Sequence, residues 1–218
     1  MVRKIKNLKS KDAIVVIADG QDEKWYIEKV KEHYKPNVLR RISIKPDLFQ
    51  RKKVSDLFDE AESKLAEGYT QVILIVDFDE IGKNKQEWNK FSNYFNQYLA
   101  IKEQNTKSSR KYAWMKNMIL IVNSPCIEYW YLLHYKNTTK FYSNFSDLKM
   151  DLLAINEFKY YKKNHSYYKQ TPDIFSRLGG MKGLANARNN ARQFRLDKCF
   201  EQGFSEMNKL FDFFDGLN

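Results

Sequence analysis

The chain of 218 residues has only two cysteines and four prolines, and it has no long uninterrupted run of apolar residues. Two cysteines, Cys126 and Cys199, cannot supply a disulfide framework or a four-cysteine zinc site. No apolar run approaches the roughly 20 residues of a membrane helix. The basic N-terminus, MVRKIKNLKSKD, lacks the apolar segment of a signal peptide. We therefore expect no membrane association and a reduced, cytoplasmic location.

Acidic residues are also in deficit, since 27 Asp and Glu stand against 38 Lys and Arg, and the formal net charge is +11. A charge of this size attracts polyanions such as nucleic acid or nucleotides. The lysines are spread along the whole chain, so the same excess fits a lysine-rich surface that keeps a protein soluble. Hydrophobic residues make up 43% of the chain and aromatic residues 15%, which is the composition of a folded rather than a disordered chain.

Four buried strands are predicted from apolar stretches at residues 13–20, 38–44, 72–77 and 118–123. Their apolar residues do not alternate with polar ones, which is typical of strands covered on both faces, as in a parallel sheet. Apolar residues at spacings of three and four predict helices between them. Residues 1–140 are therefore predicted to form a three-layer αβα sandwich with a mostly parallel, four-stranded sheet. Residues 141–218 carry helical patterns and predict a helical C-terminal extension packed on this domain.

Two aspartates end the third predicted strand, in the sequence VILIVDFDE (72–80). Residues two apart in a strand point to the same face, so Asp77 and Asp79 are expected to project together, with Phe78 opposite. Asp19 ends the first strand, and ligands bind beyond the carboxyl ends of strands in open α/β sheets. Converging carboxylates resist ionisation unless a cation joins them, and oxygen ligands favour Mg²⁺ or Mn²⁺. The pattern predicts a metal site, and the alternative is that these aspartates only cap helices or turns.

Glu128 lies near the start of the helix that follows the fourth strand, and it is a further candidate for the site. His134 is six residues further on and about 240° around the helix, so the two side chains cannot share one metal from one helix face. We interpret His134 as a packed histidine that is hydrogen-bonded to the backbone.

Basic and aromatic residues are interleaved in KYYKKNHSYYK (159–169). Such a segment either stacks bases and meets phosphates, or packs its tyrosines on the domain and leaves its lysines in water. Three arginines between residues 188 and 195 recur at spacings of four and three, which predicts an arginine-lined helix face that is suited to phosphate or simply solvated. The candidate nucleic-acid contacts are Lys162, Lys163, Arg188, Arg192 and Arg195.

Three longer stretches stand out together: ADGQDEKWYIEK (18–29), VDFDE (76–80) and NSPCIEYWYLLHY (123–135). The first has the spacing acid-Gly-x-x-Glu-x-x-Tyr, the second is a DxD motif, and the third is the longest and most specific. Together they resemble the RloB-like family of bacterial proteins, which is related to the Toprim domain. The resemblance covers roughly residues 12–195. It implies a Toprim-like fold and a role in anti-phage defence or at restriction-modification loci, often beside an ATPase gene.

The resemblance also has implications for single residues. Asp77 and Asp79 match the DxD that holds Mg²⁺ or Mn²⁺, and Asp19 would be a further ligand. Asp19 stands where Toprim enzymes usually have a glutamate that acts as general acid or base. Its shorter side chain moves the carboxylate by about 1 Å, which matters for proton transfer. Glu23 would substitute for the missing glutamate, although a first-turn glutamate is also favoured by the helix dipole alone.

Two functions from different classes follow. The first is an Mg²⁺-dependent phosphodiesterase or nuclease that acts on nucleic acid, in which Asp19, Glu23 and Glu128 hold a second metal or manage a proton. The second is a non-catalytic module that binds metal with a nucleotide, binds nucleic acid, or docks a partner ATPase. The type of nucleic acid or nucleotide and the oligomeric state stay open at this point.

Overall fold

The protein is described here by a computed structural model that covers residues 13–40, 42–46, 53–103 and 110–217. The strands in these residues are β1 (Ile14–Ala18), β2 (Ser43–Pro46), β3 (Gln71–Asp77), β4 (Met118–Ser124) and β5 (Phe204–Ser205). The first six helices are α1 (Gln21–His33), α2 (Pro36–Leu39), α3 (Val54–Ala66), α4 (Asp79–Lys83), α5 (Lys85–Lys102) and α6 (Glu128–Leu133). The others are α7 (Phe145–Leu153), α8 (His165–Lys169), α9 (Ile174–Arg177), α10 (Gly180–Asn190) and α11 (Asn208–Asp215). No helix in the described residues is both long enough and apolar enough to span a membrane.

The strands form one mixed sheet in the order β2-β1-β3-β4-β5. The first four are parallel, as predicted, but β5 is a fifth strand that runs antiparallel to β4. The prediction of four strands is therefore wrong, because the described residues form five and the fifth lies in the segment predicted as a helical extension. The prediction of a strand at 38–44 is also displaced, because residues 36–39 form α2. Pro36 fits the first turn of a helix, where its missing N–H is not needed.

The sheet separates two hydrophobic clusters, because successive side chains of a strand point to opposite faces. On one face, Ile73 and Ile75 of β3 pack with apolar residues of α1, α6 and α11. On the other face, Val72 and Leu74 pack with residues of α3 and α5. The fold is thus α/β, with a parallel core whose buried strands are apolar on both sides.

Local sequence explains where several helices begin. Asn84 caps α5 by accepting hydrogen bonds from the backbone N–H groups of Gln86 and Glu87. Asn144 and Asp173 cap α7 and α9 in the same way. Each of these side chains satisfies a backbone donor that the first turn of a helix leaves without a partner.

The C-terminal part of the chain shares the core of the N-terminal part. Phe211 and Phe214 of α11 lie in the same cluster as Ile73, and Phe204 of β5 pairs with Ser124 of β4. The division into domains at residue 140 stays a prediction. The packing matters for the site, because Tyr161 and Lys163 contact Glu128 of α6 and residues 204–205 pair with the carboxyl end of β4.

Candidate functional site

Asp77 is the last residue of β3 and continues the alternation that sends Ile75 to the face covered by α1 and α6. Its register partner on β4 is Asn123, whose Nδ2 donates to Asp77 Oδ1 at 3.5 Å. Asn123 is fully buried, and its Oδ1 accepts a hydrogen bond from Ser205 Oγ at 2.8 Å. Ser205 of β5 therefore holds Asn123 beside the carboxylate of Asp77, with a long contact between the two side chains.

Asp79 lies differently from the sequence expectation. Phe78 has helical dihedral angles (φ −90°, ψ −16°), and Asp79 is the first residue of α4. Phe78 packs in the cluster on the other face of the sheet, as expected. However, the period of two applies only to an extended chain, so the expectation that Asp77 and Asp79 project together as strand neighbours is wrong. Burial raises the pKa of Asp79, and Lys83 opposes this shift.

Glu23 lies in the first turn of α1, four residues after Asp19, and is only 2% exposed. Its Oε2 would lie 2.8 Å from a Cβ at position 20, so a side chain there would displace the carboxyl group of Glu23. Burial and the charges of Asp22 and Asp19 raise the pKa of Glu23 to about 8. The carboxyl of Glu23 is therefore protonated at neutral pH in the metal-free protein.

Asp77 lies in the same electrostatic environment. Burial, followed by the charges of Glu23 and Asp19, raises its pKa well above the ordinary range, and Glu128 adds to the effect. The structure thus brings four predicted site residues and Asp22 together beyond the carboxyl ends of β1, β3 and β4. We call this set the acidic cluster: Asp19, Asp22, Glu23, Asp77 and Glu128.

Glu128 is the most enclosed member of the acidic cluster, with no exposed surface. Its Oε1 accepts a hydrogen bond from the Tyr161 hydroxyl at 2.6 Å and pairs with Lys163 Nζ at 2.8 Å. Within the described residues, its Oε2 has no hydrogen-bond partner, and neither has the buried Oδ1 of Asp22. Buried polar atoms without partners are rare in proteins, so the acidic cluster has two oxygens that are available to a ligand.

Lys163 is the positively charged residue that contacts the acidic cluster. Its Nζ lies 2.8 Å from Glu128 and 3.6 Å from Asp22, and it stands 4.1 Å from the ring centroid of Phe145. Burial opposes its charge, but Glu128, followed by Cys126 and Asp22, more than offsets that effect and raises its pKa. Lys162 is likewise exposed, but within the described residues it has no ion pair. The sequence alone does not distinguish these neighbouring lysines, whereas in the structure Lys163 pairs with Glu128 and Lys162 does not.

Replacing Lys163 with methionine is expected to lower the free energy of unfolding by about 2 kcal/mol at pH 7. Removing one partner of a buried ion pair costs ~3–5 kcal/mol, and the cost here is smaller because the Lys163 side chain is 35% exposed. Denaturant unfolding measures the change. The matched control is Lys162→Met, for which we expect a change within about 0.5 kcal/mol. Equal effects of the two substitutions would contradict the pairing of Lys163 with Glu128.

The three arginines do not share a helix face, so that expectation is wrong. Helix α10 ends at Asn190, and the backbone then becomes extended. Arg188 pairs with Asp212 and Asp215 of α11 at 2.6 and 2.8 Å. Arg192 donates to backbone carbonyls at the end of α10, and Arg195 pairs with Asp197. Contact of the three arginines with phosphate stays a prediction.

Three residues of the site escaped the sequence reasoning. Asp22 resembles an ordinary first-turn acid of α1. Asn123 is recognisable only once β4 is placed beside β3, because it is then the register partner of Asp77. Ser205 gives no local signal, since its role depends on a two-residue strand far along the chain.

His134 is buried and hydrogen-bonded to the Leu178 carbonyl at 2.9 Å, and burial lowers its pKa to about 4.

In the described residues, one group of three ligand-type side chains has its ligand atoms close together, and it lies outside the acidic cluster. Ligand atoms of Glu32, His33 and Asp173 lie within 4.8 Å of one another on the surface. Glu32 is paired with Lys29 at 2.6 Å and His33 with Asp173 at 2.7 Å, so these contacts already satisfy the group. In the described residues, no three carboxylates of the acidic cluster approach one another this closely, and neither do Asp19, Asp77 and Asp79.

The comparison with known families adds one finding. A family model described as RloB-like protein matches residues 14–212. This range includes every member of the acidic cluster, together with Asp79, Asn123 and Lys163. No curated protein and no solved structure matches the chain.

Proposed function

The chain belongs to the RloB-like family, and from this premise and the acidic cluster we propose that it is a divalent-metal-dependent phosphodiesterase that cleaves nucleic acid. The proposal includes a Toprim-like, three-layer αβα fold, which the four parallel strands and the two hydrophobic clusters support. The observation that carries it is the acidic cluster. Several buried carboxylates with raised pKa values at the carboxyl ends of parallel strands are characteristic of a functional site.

The donor chemistry of these residues suits a divalent metal ion such as Mg²⁺ or Mn²⁺, and the carboxylates would have to move closer together to share one ion. The donors are all carboxylate oxygens, which these ions prefer, and two buried oxygens, on Glu128 and Asp22, have no described partner. Asp77 and Asp19 would hold the metal, and Asp79 at the start of α4 would join them. A bound metal would polarise the phosphoryl group and lower the pKa of a water molecule.

The side chains of the acidic cluster have separate parts in this proposal. Glu23 would hold a proton in the resting state, since its pKa is about 8. It would release that proton when positive charge enters the cluster, because a nearby cation favours the ionised carboxylate. Asn123 would keep Asp77 oriented. Lys163 would hold Glu128 in place and limit the repulsion among the carboxylates.

One observation favours a second function. Lys163 already compensates Glu128 and Asp22 without any metal, as in a structural ion-pair network. In that case the chain would be a non-catalytic module that binds metal with a nucleotide, or nucleic acid, and works with a partner ATPase. Asp19 in place of the usual glutamate fits this function as well.

The test is a cleavage assay of the purified chain on single- and double-stranded DNA and RNA. We expect cleavage with Mg²⁺ or Mn²⁺, none with EDTA, and a rate that falls as salt weakens phosphate contacts. Calorimetric titration with Mn²⁺ accompanies the assay. Binding of metal or of nucleic acid without cleavage of any substrate would support the second function, and absence of cleavage, metal binding and nucleic-acid binding would overturn the two functions together.

A further inference from the structure

A cavity of about 380 Å³ lies along α1 beside the acidic cluster. Its lining includes Trp25, Lys31, Arg40, His165, Tyr168 and Lys169. The volume is within the range of pockets that take small ligands or cofactors. The chemistry of the lining is different from that of the acidic cluster, because it combines cations with aromatic rings.

Tyr168 connects the cavity to the acidic cluster. Its ring lines the cavity and lies 5.3 Å from the Trp25 ring, measured between centroids. Its hydroxyl is 2.8 Å from the Tyr161 hydroxyl, which donates to Glu128. Trp25 is also three residues after Asp22, so the two side chains lie on the same side of α1. A ligand that extended from Asp22 along α1 would therefore reach this cavity.

The cavity carries an excess of positive charge. Its two glutamates are each paired on α1, Glu28 with Lys24 at 3.8 Å and Glu32 with Lys29 at 2.6 Å. The remaining cations of the lining are Lys31, Arg40 and Lys169, and in the described part of the chain none of them has an ion pair. Lys31 donates to the backbone carbonyl of Ile42, which leaves Arg40 and Lys169 for an anionic ligand.

The aromatic side of the cavity is formed by Trp25, whose ring is only half-buried. It is tilted against His165 at 5.5 Å and against Tyr168 at 5.3 Å, so the rings form a corner rather than a closed stack. Proteins that bind single strands combine such aromatic surfaces, on which bases stack, with cations that contact the backbone. A base in a duplex has both faces covered by its neighbours and offers less to such a corner.

We propose that this cavity binds one nucleotide of a single-stranded nucleic acid, next to the one that lies at the acidic cluster. The base would pack against Trp25 and His165, and the phosphate would contact Arg40 and Lys169. The inference rests on the proposed function, because it assigns the cavity to the same substrate. It also names the substrate class as single-stranded.

The test measures binding in EDTA, so that it does not depend on cleavage. The probe is a short fluorescein-labelled oligodeoxythymidine, followed by anisotropy at several salt concentrations. We expect Arg40→Ala with Lys169→Ala to weaken binding about tenfold and to reduce the salt slope by about one unit, because the two cations contact one phosphate of a single strand. The matched control is Lys149→Ala with Lys182→Ala, which removes the same charge from exposed positions outside the cavity lining.

A second readout is independent of charge. Binding of unlabelled oligonucleotide should quench tryptophan fluorescence, and Trp25→Phe should remove most of that quenching while the protein still binds. An equal loss of affinity in the two double variants would overturn the proposal, and so would quenching that persists in Trp25→Phe. Adenosine monophosphate or duplex DNA that competes as well as the oligonucleotide would also overturn it, in favour of a free nucleotide or a duplex.

The two proposals fail in distinguishable ways. Metal-dependent cleavage without binding that depends on Arg40 and Lys169 would overturn the nucleotide cavity and leave the acidic cluster as the active site. Binding that depends on these residues, with no cleavage under any metal condition, would support the cavity and point to the non-catalytic function.

Discussion

Replacing Asp77 with asparagine is expected to reduce metal-dependent cleavage by about 10²-fold or more and to abolish detectable binding of Mn²⁺. Asparagine keeps the size of the side chain and an oxygen for Asn123 Nδ2, but it removes the charge that a metal ligand needs. The fold should be retained, and the metal-free variant should be slightly more stable, because burial and the charges of Glu23 and Asp19 disfavour the ionised carboxylate of Asp77. Calorimetric titration, the cleavage assay and thermal unfolding measure the three effects.

Two further variants make this result specific. Asp79→Asn tests whether the first residue of α4 joins the metal, and we expect a smaller loss of affinity than for Asp77→Asn. Asp197→Asn is the control, because Asp197 is an exposed carboxylate whose partner is Arg195. An unchanged affinity for Mn²⁺ in Asp77→Asn would mean that the aspartate at the end of β3 is only structural.

The parallel part of the sheet was predictable because its signal is local. The stretches around β1, β3 and β4 are apolar on both faces, and the helices between them show the spacing of a buried stripe. β5 was not predictable, since a two-residue strand has no pattern and is defined only by its pairing with β4. The error at Asp79 has a related cause. The sequence does not mark the residue at which β3 stops being extended, and the alternation of side chains ends there.

The sequence predicted which carboxylates belong to the candidate site better than it predicted their ion pairs. Asp19, Glu23, Asp77 and Glu128 were selected from strand ends and helix starts, and the structure brings these four together. Whether they bind metal and act on a substrate is for the experiments above to decide. The position of Lys163 was not predictable, because its partner Glu128 lies on another element and one sequence does not reveal pairs across the fold. The same holds for Arg188 and its two aspartates on α11.

The tyrosines of residues 159–169 were interpreted either as packing on the domain or as stacking on bases, and the structure is compatible with both roles. Tyr161, Tyr167 and Tyr168 are buried, whereas Tyr160 is exposed. The buried hydroxyls of Tyr161 and Tyr168 extend a hydrogen-bonded network from Glu128 towards the cavity beside Trp25. Packing and binding are therefore not exclusive here, because Tyr168 contributes its hydroxyl to the core and its ring to the cavity.

Glu23→Gln is expected to change how the stability of the metal-free protein depends on pH. The pKa of Glu23 is about 8 in the folded protein and 4.5 in the ordinary, unfolded state. Below pH 4.5 the carboxyl is protonated in both states and has no effect on stability. Between these values only the unfolded chain is ionised, so stability falls as pH rises, and above about pH 8 the loss is complete. Denaturant unfolding in EDTA from pH 4.5 to 8.5 should show this fall in the parent.

The glutamine variant should lack that part of the fall, so it should exceed the parent in stability by a few kcal/mol at pH 8 and match it near pH 4.5. Asp77 retains its own raised pKa and leaves a residual slope of the same sign. The control is Glu62→Gln at an exposed position on α3, for which the pH curves of the variant and the parent should coincide within about 0.5 kcal/mol.

If Glu23 also transfers a proton, Glu23→Gln should lower cleavage by about 10²-fold while keeping Mn²⁺ binding. A glutamine variant with the pH profile of the parent would show that Glu23 is not a buried, protonated acid. A more stable variant with undiminished cleavage would remove it from the reaction and leave Asp19 or Glu128 to manage the proton.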